Sequence, residues 1–207
     1  MKDNNPSNSL DEGYYGVGSF VLEIMKIFLL ALIIIVPIRV FLFQPFFVQG
    51  ASMEPNFENN QYLIVNEFGY KKTDIGIGER TFFTVKPFKQ LGRQHVVVFR
   101  YPKNPSQFFI KRVIGLPGEK VEVKNGKITI YNNENPNGFV LDERDYLASS
   151  VKTSGEVSTL LKNDEYFVMG DNRMFSSDSR SWGPVPEADI TGEAFIRAWP
   201  LNKIAVF

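Results

Sequence analysis

The chain has 207 residues, which suits one compact domain with an anchor or one modest domain with insertions. Its 23 basic and 23 acidic side chains cancel, so the net charge makes no electrostatic case for binding phosphate backbones and no nucleic-acid partner is expected. With no cysteine and a single histidine, thiolate nucleophiles, disulfides and cysteine-based zinc sites are excluded, and neither a metal nor a cofactor is expected.

In chain order, residues 1–19 form a polar tail rich in Gly, Asn and Ser. The segment 20–43 is apolar, carries no charge from Ile27 to Ile38, and reaches the roughly 20 residues that a membrane-spanning helix requires. Glu23 and Lys26 sit near one end and Arg39 near the other, where long side chains reach the interface. A buried core helix and a cleaved secretory signal are the competing readings. Against the first stands the width of the apolar face; against the second, the missing basic n-region and the lack of a small-residue cleavage site. A retained single-pass anchor is therefore expected, with the lipid bilayer as a partner. Lys2 and Lys26 outnumber Arg39, which places the N-terminus in the cytoplasm and the remainder outside.

From Gln44 the pattern becomes β. Apolar or alternating runs occur at Gln61–Val65, Val96–Tyr101, Phe108–Ile114, Lys120–Val123, Lys127–Tyr131, Tyr166–Met169 and Ile190–Trp199, with Gly, Pro and Asn clusters between most of them. Asn125-Gly126 is a hairpin turn signal, because both positions accept positive φ. Residues 132–163 read as a loop-rich insertion or small subdomain. Phe82, Phe83 and Phe88, near Arg80, Lys86 and Lys89, suit either an interfacial loop or ordinary core positions. The expected protein is mainly β: one N-terminal transmembrane helix, then a β-rich catalytic domain over 44–207.

The chemistry narrows by elimination. A serine hydroxyl needs a base, and the only histidine, His95, sits at the lip of a strand with no Gly-x-Ser-x-Gly elbow anywhere in the chain. A lysine serves instead if burial among apolar side chains brings its amine near neutrality. Lys111 follows Phe108, Phe109 and Ile110 and precedes Val113 and Ile114, so it is either a buried base or an edge-strand lysine that discourages aggregation. Ser52, in Gln49-Gly50-Ala51-Ser52-Met53-Glu54-Pro55, is by itself equally a loop serine. A third segment, Gly170-Asp171-Asn172-Arg173 followed by Ser176, Asp178, Ser179 and Arg180, is dense in hydrogen-bonding groups able to orient an amine and hold a loop through an Asp–Arg pair.

Together these segments resemble the boxes of the bacterial type I signal peptidases (leader peptidases), membrane-anchored Ser/Lys endopeptidases, over nearly the whole chain beyond the tail. The resemblance implies that Ser52 is the nucleophile and Lys111 its general base. It further implies that Ser176 orients the lysine amine, that Asp178 and Arg180 form a supporting ion pair, and that the Ser52 N–H donates to the oxyanion. Phe46, Val48, Met53, Val98 and Ile110 align with apolar positions lining shallow pockets for small residues at −1 and −3 of a preprotein. The implied enzyme is a monomer of the bacterial cell membrane with signal-peptide-bearing preproteins as substrates. Two positions depart from the pattern. Gly50 stands where some relatives have a serine that completes the oxyanion hole, and Gln94-His95 stands where Gly-Asp is usual. A non-catalytic assembly factor and a different Ser/Lys peptidase, such as a specialised maturation enzyme, are the alternatives.

Overall fold

The computed structural model describes residues 17–71, 73–77 and 80–207; of the tail expected over 1–19, residues 1–16 lie outside the described residues. The chain divides between Arg39 and Val40 into two units. The first holds most of helix α1, Val17–Phe41. Its Val17–Val36 stretch is long and apolar enough to cross a bilayer, and none of it is buried against protein. The helix starts three residues before the expected anchor and ends two residues before it, the end being set by Phe43, which already belongs to a strand.

The second unit is almost entirely β. Its strands are β1 Phe43–Phe47, β2 Tyr62–Asn66, β3 Thr73–Ile77, β4 Arg80–Val85, β5 Val96–Tyr101, β6 Asn104–Gly115, β7 Lys120–Lys124 and β8 Lys127–Tyr131. After these come β9 Phe139–Val140, β10 Val157–Leu160, β11 Glu165–Met169, the short helix α2 Ser179–Trp182, β12 Val185–Pro186, β13 Ile190–Trp199 and β14 Ala205–Val206. The main sheet runs β1-β2-β13-β5-β6-β11-β12, with β14 added on β13. The smaller sheet is β10-β7-β8-β9, and β3 and β4 form a two-stranded sheet.

Local sequence explains the order. β1 contains Pro45, which cannot complete a ladder, and it occupies the edge of the main sheet where that loss costs least. β5 begins Val-Val-Val-Phe, is flanked on both sides, and is buried on both faces over those four residues. Between β7 and β8, Asn125 and Gly126 take φ of 52° and 77° as the turn demands. The Phe82–Phe83 segment forms strand β4, with both side chains exposed; Phe88 beyond it is also exposed. Residues 132–163 are tied into the smaller sheet through β9 and β10 at its two edges.

The twelve-residue strand β6 organises the interior. Its first half is exposed and its last five residues are buried. Val113 packs with Val97, Phe99, Val168 and Val185 in one core. Ile114 joins Val121, Val123, Ile128, Ile130, Phe167 and Met169 in a second, between the two sheets. Alternation along a strand sends neighbouring residues to opposite faces, so β6 serves both cores at once. A third cluster of Val48, Met53, Phe57, Leu63, Val96 and Ala194, with Ile110 against it, underlies the turn that follows β1.

Candidate active site

Ser52 sits in the connection between β1 and β2, residues 48–61. The base of that loop is closed by Val48 N–H to Gln61 O at 2.8 Å and Asn60 N–H to Val48 O at 3.0 Å. Glu54 N–H donates to Ala51 O at 3.2 Å and Phe57 N–H to Met53 O at 2.9 Å, which tightens the turn around the serine. Met53 and Phe57, each 1 % exposed, plug the turn into the third core, where apolar burial holds it down. Gly50 adopts φ +91°, a region that a residue with Cβ enters only with strain, and its N–H donates to Asn59 Oδ1 at 3.0 Å.

β6 carries Lys111 to this turn. Its side chain is among the buried polar groups, 4 % exposed. Nζ lies 2.7 Å from Ser52 Oγ and 2.8 Å from Ile110 O, and 5.4 Å from the Phe109 ring centroid. Burial is the largest influence on the amine and penalises its charged form, while Asp178 and Asp171 pull the other way; the result is a pKa lowered from 10.5 to about 8.

The loop after β11 closes the site from the far side. Gly170 has no room for a side chain, since a Cβ there would come 2.2 Å from Ser176 Oγ and 2.3 Å from Ser52 O. Asp178 accepts from Arg180 Nε and Nη2, both at 2.8 Å, from Arg180 N–H at 3.2 Å and from Gly170 N–H at 3.1 Å. Burial raises its carboxyl, but the Arg180 guanidinium and these bonds outweigh it, leaving the group below its usual range. Arg180 also donates to Arg173 O at 2.8 Å within the loop and to Ser154 O at 3.0 Å, tying the loop to the 132–163 segment. Asn172 meets the backbone on either side of the Ser52 Cα: its N–H donates to Ser52 O at 3.1 Å and its Nδ2 to Ala51 O at 3.0 Å.

Ser176, expected to orient the amine, is placed differently. Both hydrogen bonds from Lys111 Nζ go elsewhere, and the Ser176 hydroxyl is buried without a hydrogen-bond partner of ordinary geometry among the described residues. Its contribution to Asp178 is the weakest of those that keep that carboxyl charged.

Several supporting residues escaped the sequence reading. Arg112 grips Asp171 in two-pronged fashion, Nε to Oδ1 at 2.8 Å and Nη2 to Oδ2 at 2.6 Å, and stacks 4.1 Å over the Tyr146 ring. Asn56 Nδ2 adds a bond to Asp171 Oδ2 at 2.8 Å. Arg173 is held by Glu143 at 2.9 and 2.5 Å, and by Thr153 Oγ1 at 2.5 Å. Glu143 and Thr153 come from the polar insertion, where no periodicity marks them. Only the density of polar residues in 170–180 hinted that such partners were needed.

An open cleft of about 600 Å³ runs past Ser52 and Lys111. Of the expected substrate contacts, Phe46, Val48, Val98 and Ile110 line it, whereas Met53 lies in the core below and does not. Gln107, Phe108 and Phe175 also line it, with Phe175 79 % exposed at the rim. His95 is not in this cleft: its Nδ1 is 2.7 Å from Glu193 Oε1 in a separate hollow that also includes Arg112 and Arg197.

A family profile described as signal peptidase, peptidase S26 matches residues 21–199. A probable signal peptidase I-2 from Synechocystis sp. is 35 % identical over 185 residues, spanning 89 % of this chain and 76 % of its own length. Signal peptidase I P from Bacillus subtilis subsp. natto is 34 % identical, with 90 % of this chain and 93 % of the relative covered. For signal peptidase I from Pseudomonas aeruginosa the values are 32 %, 89 % and 75 %. A crystal structure of a signal peptidase I from Enterococcus faecalis matches with a TM-score of 0.41 at 31 % identity, over 51 % of this chain and 97 % of that one.

Proposed function

The chain belongs to the signal peptidase family, and we propose from that premise that it is a membrane-anchored endopeptidase that removes signal peptides from exported preproteins through a Ser52/Lys111 dyad. The observation that carries the reading is the 2.7 Å approach of Lys111 Nζ to Ser52 Oγ, combined with an amine that burial has lowered to about 8. A lysine in that range is neutral in roughly one molecule in ten at pH 7, a small cost beside that of freeing an ordinary lysine of its proton.

In this mechanism neutral Nζ accepts the Ser52 hydroxyl proton as Oγ attacks the scissile carbonyl. The ammonium then protonates the departing amine, leaving an ester on Oγ. The mature chain leaves as that amine; water then attacks the ester, Nζ taking its proton and returning it to Ser52 Oγ as the signal peptide departs with a new C-terminal carboxylate. The Ser52 N–H donates to the carbonyl oxygen as charge develops on it. Gly50 supplies no side-chain donor, and its own N–H is spent on Asn59 Oδ1. A neutral amine has two N–H groups and a lone pair; the lone pair faces Ser52 and one N–H is taken by Ile110 O.

Substrate enters as an extended strand along the cleft, with small residues at −1 and −3 seated against Phe46, Val48, Val98 and Ile110. The anchor keeps the N-terminus in the cytoplasm and the peptidase unit on the outer side of the membrane, where signal peptides emerge. The test is cleavage of a preprotein with a small-x-small site by the full chain in lipid vesicles. Ser52→Ala and Lys111→Ala are each expected to abolish turnover, and wild-type turnover by either overturns the dyad.

A further inference from the structure

Asn172 touches neither Ser52 Oγ nor Lys111 Nζ, yet it makes two hydrogen bonds to the backbone that carries the nucleophile. We propose that Asn172 is a positioning residue that aims the Ser52 N–H at the developing oxyanion by holding the Ala51 carbonyl from behind. The proposal rests on Ser52 being the nucleophile and adds to that reading the group which fixes its oxyanion donor.

The argument is one of peptide geometry. Ala51 O and the Ser52 N–H belong to the same planar trans peptide and point in opposite directions, so pinning one aims the other. Asn172 Nδ2 pins Ala51 O at 3.0 Å. The next peptide plane is pinned as well, by Asn172 N–H to Ser52 O at 3.1 Å. With both planes around the Ser52 Cα held from outside, its two soft backbone torsions are set by the partner loop. Gly50 explains why such a hold is required: two residues upstream, it has positive φ and open space where a Cβ would stand, so the turn is intrinsically permissive there.

The hold is stiff at its other end. Asp171, the preceding residue, is 1 % exposed and clamped by Arg112 and Asn56. Gly170 brings the loop backbone so near Ser52 O that a methyl group cannot be inserted between them. Asn172 therefore reaches Ala51 O from a fixed platform, as a group must if its direction is to be transmitted to another.

Two variants separate aiming from mere loop tethering. Asn172→Ala and Asn172→Asp both keep the backbone N–H to Ser52 O and lose the donor to Ala51 O, and the second preserves size if the first fails to fold. The full chain in lipid vesicles is assayed for kcat and KM on a preprotein, for its thermal midpoint, and for inhibition by a substrate-like peptide aldehyde. The aldehyde carbon bonds to Ser52 Oγ, its oxygen takes up the negative charge in the place of the oxyanion, and Lys111 receives the hydroxyl proton. Expected is a fall in kcat of roughly tenfold to a hundredfold, a KM changed by no more than about threefold, and aldehyde affinity lost in parallel with kcat. The thermal midpoint and the binding of a non-covalent product peptide should stay close to those of the parent. The proposal is overturned if kcat stays within about twofold of the parent in a folded variant, or if kcat falls while aldehyde affinity does not. Ser52→Ala is run alongside: its full activity would sink the nucleophile assignment itself, whereas its inactivity lets Asn172 be judged alone.

Discussion

Lys111 and Arg112 are neighbours on one strand, both cationic by type and both buried, and the molecule treats them in opposite ways. Arg112 receives a two-pronged carboxylate, a backbone carbonyl from Gln94 at 2.8 Å and an aromatic ring, so its charge is fully compensated. Lys111 receives a hydroxyl and one carbonyl, with the nearest carboxylates already engaged by Arg180 and by Arg112 itself. The difference teaches how a fold lowers the pKa of a lysine: it withholds the counter-ion rather than adding a special group. A permanently charged guanidinium needs a partner to be buried at all, whereas an amine can shed its proton.

The contrast can be broken most severely at Lys111. Lys111→Arg installs a cation that cannot be deprotonated, and turnover is expected to fall at least about a thousandfold, to the level of Lys111→Ala, in a preprotein cleavage assay. Next in size is Arg112→Met. It leaves Asp171 buried without its cation and is expected to cost about 3–5 kcal/mol in denaturant unfolding, with a corresponding loss of thermal midpoint. The double change Arg112→Met with Asp171→Leu should recover much of that loss.

A gentler probe is pH. Because burial lowers the Lys111 amine, its neutral form is the depleted one below about 8 and the dominant one above it. The logarithm of kcat/KM should therefore rise with unit slope, tenfold per pH unit, and level off above about 8. A profile flat from pH 6 to 9 would mean that Lys111 is not the titrating base. The smallest effect is expected at His95. Its side chain is 41 % exposed and sits outside the cleft, so His95→Gln should change stability by no more than about 0.5 kcal/mol and leave the pH limb in place.

Much of the sheet was readable in the chain, and the reasons are local. β5, β8 and β13 have the limits that their apolar runs predict, because strand-forming residues end abruptly at polar or proline-rich turns. β1 was hidden: Gln44-Pro45 breaks the alternation, and only its edge position makes the strand acceptable. β3 and β4 lie in a segment whose two phenylalanines stay exposed, so no core periodicity announces them. Ser52 and Lys111 stood out through elimination and flanking motifs. The groups that hold their surroundings did not, since Arg112 finds Asp171 59 residues away and Arg173 finds Glu143 30 residues away. Ion pairs of that span leave no periodic trace; they exist only once the strands are side by side. Ser176 shows the same limit, for its place in a motif did not determine which atom its hydroxyl would meet.

The rim of the cleft holds a reserve of wetted aromatic surface. Phe175 is 79 % exposed, Phe108 44 % and Phe47 42 %, all facing the channel rather than a core. Whatever strand settles there must strip water from those rings, and shedding that hydration lowers the heat capacity of the complex relative to its parts. Calorimetric titration of the Ser52→Ala chain with a signal-peptide segment, repeated at several temperatures, should give a binding enthalpy that grows more negative on warming. Replacing Phe175 with serine should flatten that dependence, making the temperature slope of the heat a direct gauge of how much of the rim the substrate dries.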